Sequence, residues 1–144
     1  TVARTFSKLH GLAGQRIGYT VMAPGLAKAV RPLMTGSANL LGVVAARESL
    51  EDPDYLESAR HRLKAGRDAL LAVLDELGCR YAGPQGSFVF FQTGRPIAEF
   101  QAAMRAEGIL VARPFAPLLD WCRITIGAED EMELAHAAIR RVLG

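Results

Sequence analysis

The sequence predicts an α/β fold in which helices cover one side of a short sheet, and three observations carry that prediction. Leu56, Ala59, Leu63, Gly66, Leu70, Val73 and Leu77 recur at alternating spacings of three and four, one apolar stripe along a long helix. In Trp121-Cys122-Arg123-Ile124-Thr125-Ile126, every second residue is aliphatic or Cys, which is the period of a strand with one buried face. From residue 53 onward the segments read helix, strand, strand, helix, strand, strand, helix, which is the order of a small α/β sandwich.

Taken in order, Val2 to Phe6 and Ile17 to Met22 read as two strands around a glycine-containing turn. Pro24 opens a helix expected to run from Gly25 to about Leu33, since proline is tolerated in the first turn. Gly36-Ser37 ends it, and Ser37 or Asn39 is placed to cap a following helix that reaches Leu50. Leu40, Leu41, Val43, Val44, Ala45 and Ala46 make that helix apolar most of the way round, so burial is expected. Asp52-Pro53 is an N-cap followed by a helix-starting proline, and it sets the boundary between residues 1–52 and 53–144. The long helix ends at Gly78. Cys79-Arg80-Tyr81 leads into the turn Gly83-Pro84-Gln85-Gly86, and Ser87 to Gln92 is apolar on both faces, hence a central strand. Pro96 to Glu107 is a helix with Ile97, Phe100 and Met104 on one side, closed by Gly108. Ile109 to Ala112 is expected as a strand, followed by the proline-rich link after Arg113. The last helix follows Gly127, with acidic residues in its first turns and Arg140 and Arg141 at its end, the charge order that suits its dipole. Its buried stripe is Met132, Ala135, Ile139 and Val142.

The 144 residues are half apolar, 22% charged and carry a net charge of +2, an ordinary composition for one domain or one and a small piece. Charges are interspersed, with no basic cluster for nucleic acid and no acidic tail. The longest apolar runs are about six residues, against roughly 20 for a membrane span. Cys79 and Cys122 lack metal-ligand spacing, so a reducing, cytoplasmic setting and no metal site are expected. His61 falls on the charged face of the long helix, and His10 and His136 receive no function.

The chemistry is concentrated in residues 4–19. An apolar strand delivers Ser7 and Lys8, a glycine-containing turn follows, and Arg16 returns on the other side. Lysine at the end of an apolar strand is costly to desolvate unless it is paired or its pKa falls, and such an amine is a nucleophile that forms Schiff bases. A hydroxyl, a guanidinium and the backbone N–H groups of a turn suit a phosphate. Read without further information, the same residues are also an ordinary solvated lysine beside a turn.

The pattern Thr5-x-Ser7-Lys8-x-x-Gly11-Leu12-Ala13-Gly14-x-Arg16-x-Gly18-Tyr19 resembles the cofactor-lysine signature of fold-type-I pyridoxal-phosphate aminotransferases, above all the branch containing histidinol-phosphate aminotransferase. The resemblance implies that residues 1–52 are the end of the large cofactor-binding domain and that residues 53–144 are the small C-terminal α/β domain. It implies pyridoxal 5′-phosphate as cofactor, Lys8 as the lysine that bonds it, Ser7 and Arg16 as holders of its phosphate, and Thr5 as their assistant. Arg123, in Trp-Cys-Arg-Ile-Thr-Ile-Gly, matches the arginine that grips the substrate carboxylate. By the residues alone it would be a surface salt-bridge arginine. Arg113 falls where an arginine meets the substrate phosphate in this branch, or else positions a strand end. Asn39 lies near a family asparagine, with capping as its reading here.

The implied reaction is transamination between an amino acid or amino-alcohol phosphate and a 2-oxo acid, in a homodimer, with no nucleic-acid or membrane partner. A threonine-phosphate-type decarboxylase and a non-catalytic piece lacking the N-terminal half of the site are the alternatives. The start at Thr1, inside a strand, fits a fragment of a longer enzyme whose preceding part would hold the pyridine ring.

Overall fold

The computed structural model describes residues 1–144 and divides them into two units, Thr1–Arg60 and His61–Gly144. The division falls within the long helix expected after residue 52, whose first two turns side with the first unit.

In the first unit, β1 (Val2–Thr5) pairs antiparallel with β2 (Gly18–Val21), with Thr5 opposite Gly18. The pairing is close at Gly18, where a Cβ would lie 2.7 Å from the Arg4 carbonyl oxygen. Real Cβ contacts do not approach that near, so Gly18→Ala must open the hairpin. The expected result is a loss of about 1–3 kcal/mol, read as a lower urea midpoint together with faster amide exchange in β1 and β2. Phe6 follows β1 and is buried, its ring 4.7 Å from His10 and 5.7 Å from Tyr19. The chain then turns: the Gly11 N–H donates to the Lys8 carbonyl (2.9 Å), the Leu12 N–H donates to the Phe6 carbonyl (2.9 Å), and a 3-10 turn spans Ala13–Gln15.

Helix α1 (Pro24–Val30) gives way to a 3-10 turn at Arg31–Leu33, short of the single helix expected. Pro32 explains the change, because it has no N–H to donate and its ring crowds the preceding turn. Helix α2 (Leu40–Leu50) begins after Asn39, but the Asn39 side chain does not cap it. The amide instead reaches back to the 3-10 turn, donating to the Gln15 carbonyl (3.2 Å) and to Gln15 Oε1 (3.0 Å). The expected burial of α2 also fails. Only Gly42 and Ala46 are buried, and Leu40 and Leu41 are 73% and 75% exposed. The first unit has only a two-stranded ribbon and a narrow small-residue contact to offer this helix, with the site of a Gly42 Cβ 3.2 Å from the Gln15 carbonyl.

Helix α3 (Pro53–Glu76) starts as expected: Asp52 Oδ1 accepts the Tyr55 N–H at 2.9 Å and Pro53 takes the first helical position. Its stripe is followed closely, with Ala59, Leu70 and Val73 buried and Leu74 added to them. In the second unit, β3 (Phe88–Gln92) pairs antiparallel with β4 (Trp121–Thr125), placing Phe90 opposite Arg123. The other edge of β3 is also bonded: Ala82 N–H donates to Phe90 (2.9 Å), and Gln92 N–H donates to Arg80 (2.8 Å). That makes β3 central, as its two apolar faces require. The strand expected at residues 109–112 does not form a ladder. Ala112 N–H makes one long bond to the Arg123 carbonyl (3.4 Å), while Ile109 N–H is turned back to Met104 (2.9 Å) and Pro114 has no N–H to give.

Helices α4 (Ile97–Ala106) and α5 (Glu129–Leu143) complete the layer on the aliphatic side of the sheet. Leu70, Leu74, Val89, Phe91, Phe100, Met104, Cys122 and Ile139 form the interior of one apolar cluster, all essentially inaccessible. Ala138 joins Met132, Ala135 and Ile139 on the buried stripe of α5. Arg140 clasps Glu76 through three hydrogen bonds of 2.8–3.2 Å, which holds that carboxyl below its usual range, but the pair is exposed and contributes little to stability.

Candidate active site

The turn after β1 brings three of the expected residues together. Ser7 N–H donates to Thr5 Oγ1 at 3.1 Å. Arg16 closes the 3-10 turn in the left-handed conformation (φ 52°), a backbone state costing an L-residue about 1–3 kcal/mol. That geometry swings its side chain back over the turn, where Nη1 donates to the Ala13 carbonyl (2.9 Å) and, at 3.4 Å, to Ser7 Oγ. Two hydroxyls and a guanidinium therefore converge beside Lys8, a donor set suited to an anion.

Lys8 itself is exposed. This corrects the expectation of a desolvated lysine at the end of an apolar strand. All four residues of β1 are exposed, and the Lys8–Gly11 turn carries Lys8 beyond the last paired residue. His10, unassigned in the sequence, ties the turn to α2, its Nδ1 2.7 Å from Ser49 Oγ. No local signal could have found that contact, because the partners are 39 residues apart. A cleft lined by His10, Glu48, Ser49 and Asp52 lies beside it, and none of Thr5, Ser7, Lys8 or Arg16 lines that cleft.

The second unit holds Arg113 and Arg123. Strand alternation puts Arg123 on the face of β4 away from Cys122 and Ile124, as expected. That face is aromatic. Phe90 packs 5.1 Å from Trp121 and meets Phe115 edge-on at 5.7 Å. The Arg123 guanidinium carbon lies 5.4 Å from the Phe88 ring centre and 5.1 Å from that of Phe115, and its Nε is buried with no hydrogen-bond partner. Arg113 lies 4.7 Å from the same Phe115 ring and donates to the Pro114 carbonyl (3.1 Å). Arg123 is thus not a salt-bridge arginine, unlike Arg140 and Arg141, which pair with Glu76 and Glu107.

Both cysteines are free thiols, and burial pushes Cys122 up to about 12. His136 Nε2 is also buried without a partner. Burial first, and the Arg140 charge second, lower the His136 pKa, with Glu133 opposing them. A lowered folded pKa means that the unfolded chain takes up the proton first as pH falls. The His136 contribution is complete above about pH 6.5 and is lost as pH drops from there through its folded value. His136→Gln is expected to flatten the fall in urea midpoint between about pH 7 and 5, measured against the unsubstituted chain.

The profile of aminotransferase class I and II matches residues 1–141, and the chain belongs to that family. It is 37% identical to the histidinol-phosphate aminotransferase of Symbiobacterium thermophilum and 39% identical to histidinol-phosphate aminotransferase 2 of Methylococcus capsulatus. Each match covers 99% of this chain, which spans 40% and 39% of those two proteins. The structure of histidinol-phosphate aminotransferase from Sinorhizobium meliloti in complex with pyridoxal-5′-phosphate superposes with a TM-score of 0.83 at 34% identity, over 98% of this chain and 40% of that one. The Clostridium acetobutylicum histidinol-phosphate aminotransferase shares the fold, with a TM-score of 0.87 at 22% identity over 97% of this chain and 44% of that one. No helix is long and apolar enough to cross a membrane.

Proposed function

We propose that this chain supplies the lysine-bearing portion of a pyridoxal-phosphate-dependent aminotransferase that moves an amino group between a histidinol-phosphate-like amino-alcohol phosphate, or an amino acid, and a 2-oxo acid. The observation that carries the reading is the convergence of Thr5, Ser7 and Arg16 on the turn that holds Lys8. A cofactor phosphate fits this set, since the Arg16–Ser7 bond is long at 3.4 Å and the remaining guanidinium donors are free to meet an anion. When bound, pyridoxal phosphate supplies the aldehyde and the electron sink. Lys8 Nζ is the amine that would hold the cofactor through its aldehyde. As a free amine, Nζ would take the proton from the substrate α-carbon and later return one, as base and then acid. Arg123 orients the substrate carboxylate by its parallel donors, and Arg113 meets a substrate phosphate. Residues 1–52 and 53–144 are proposed as the end of the large domain and the small domain of a homodimeric enzyme.

A second reading, a piece that is non-catalytic by itself, is favoured by the exposure of Lys8 and of Leu33, Met34, Leu40 and Leu41. One assay in two arms separates the readings: the chain, charged with pyridoxal phosphate, is given histidinol phosphate with 2-oxoglutarate in one and threonine phosphate in the other. Glutamate and a keto product support the aminotransferase. Carbon dioxide and an amine from threonine phosphate would point to the decarboxylase, and no turnover to the non-catalytic piece.

A further inference from the structure

We infer that Phe88 and Phe115 are positioning residues that hold Arg123 ready for an anion, a role that rests on the reading of Arg123 as the carboxylate grip. The guanidinium carbon sits 5.4 Å and 5.1 Å from the two ring centres, and Nε is buried without a hydrogen-bond acceptor. The residue as a whole is half-buried, and a buried N–H without an acceptor is unfavourable unless something else stabilises the group, as the two phenyl rings do here. A carboxylate approaches a guanidinium in its plane, on the N–H edges, whereas rings cover its faces. Aromatic contact therefore fixes the side chain without occupying the donors that a substrate needs; a carboxylate partner would fix it and block them.

The two rings come from different elements. Phe88 begins β3, and Phe115 is set by a tight turn in which the Leu118 N–H donates to the Phe115 carbonyl at 2.8 Å. Phe90 supports Phe115 edge-on, at 78° between ring planes. Phe115 also lies 4.7 Å from Arg113, so one ring links the two arginines. Displacing Phe115 should disturb both arginines, whereas displacing Phe88 should disturb Arg123 alone.

The test follows arginine Nε–Hε signals by NMR in the 144-residue chain, with Arg123 assigned through Arg123→Lys and 2-oxoglutarate titrated against chloride at equal ionic strength. The Arg123 signal is expected upfield, under two ring currents, and to move saturably with 2-oxoglutarate. Phe88→Leu and Phe115→Leu should each relax the upfield position and weaken binding about fivefold, the equivalent of one cation–π contact. Phe115→Leu should also move the Arg113 signal. Phe88→Tyr and Phe115→Tyr keep the ring and should keep the response. Leucine variants that bind as tightly as the parent would overturn the inference, and so would tyrosine variants as weak as the leucine ones, which would mark a folding role. An unsubstituted chain whose Arg123 signal ignores 2-oxoglutarate would overturn the carboxylate-grip reading itself, and the clamp's positioning role with it.

Discussion

Lys8→Ala is expected to remove most of the borohydride-stable adduct between this chain and pyridoxal phosphate. The chain has three lysines, Lys8, Lys28 and Lys64, and aldehydes label exposed lysines without discrimination unless something tethers them. Lys64 is paired with Asp68 at 2.5 Å, and Lys28 lies in α1. Lys8 is the lysine that adjoins the proposed phosphate site of Thr5, Ser7 and Arg16. A hydrogen bond to a charged group contributes about 1.5–3 kcal/mol, so a phosphate held there should favour Lys8 by about tenfold or more. Peptide mapping of the reduced protein should place the label on Lys8, and Lys8→Ala should leave only the background on the other two. Ser7→Ala and Arg16→Gln keep the amine but should cut Lys8 labelling several-fold, which ties the selectivity to the phosphate site. Where turnover is measurable, losing this base should lower it by at least about 10²–10⁴-fold. Equal labelling of all three lysines in the parent chain would remove the basis for assigning Lys8.

The features legible in the sequence were those written in local spacing. The stripe from Ala59 to Val73 and the alternation that turns Arg123 away from Cys122 are consequences of helix and strand periods, and both are present. The Asp52-Pro53 start is chemistry between near neighbours, and it too is present. What escaped depends on partners far along the chain. Asn39 looked like a cap, but Gln15, 24 residues earlier, offers its amide two acceptors. The apolar composition of α2 implied burial, yet burial needs a surface to pack against, and within the first unit only Gly42 and Ala46 find one. For the same reason Lys8 is exposed where strand-end logic expected desolvation. The aromatic setting of Arg123 combines Phe88, 35 residues before it, with Phe115 from a loop whose path no periodicity describes.

Phe91→Ala is expected to be the most destabilising single change in the second unit, and its comparison with Phe90→Ala tests the register of the sheet. The two residues are adjacent on β3 and differ by face. Phe91 is fully buried among the helices, 6.0 Å from Phe100 with the rings at 87°. Phe90 is half-buried on the opposite face, against Trp121 and Phe115. Truncating a buried phenylalanine costs about 3–5 kcal/mol through lost transfer energy and an unfilled cavity. Against a total stability of about 5–15 kcal/mol, that removes about a fifth or more of what holds the fold. In a unit of this size each kcal/mol is worth about 4–8 °C, so the melting temperature should fall by at least about 12 °C. Phe90→Ala opens a site that solvent already reaches and should cost less than half as much. A slip of one residue between β3 and β4 would exchange the two faces. An equal loss in both variants, or a larger one at Phe90, would therefore contradict the placement of Arg123 on the aromatic side, and the reading of that arginine as a substrate contact would fall with it.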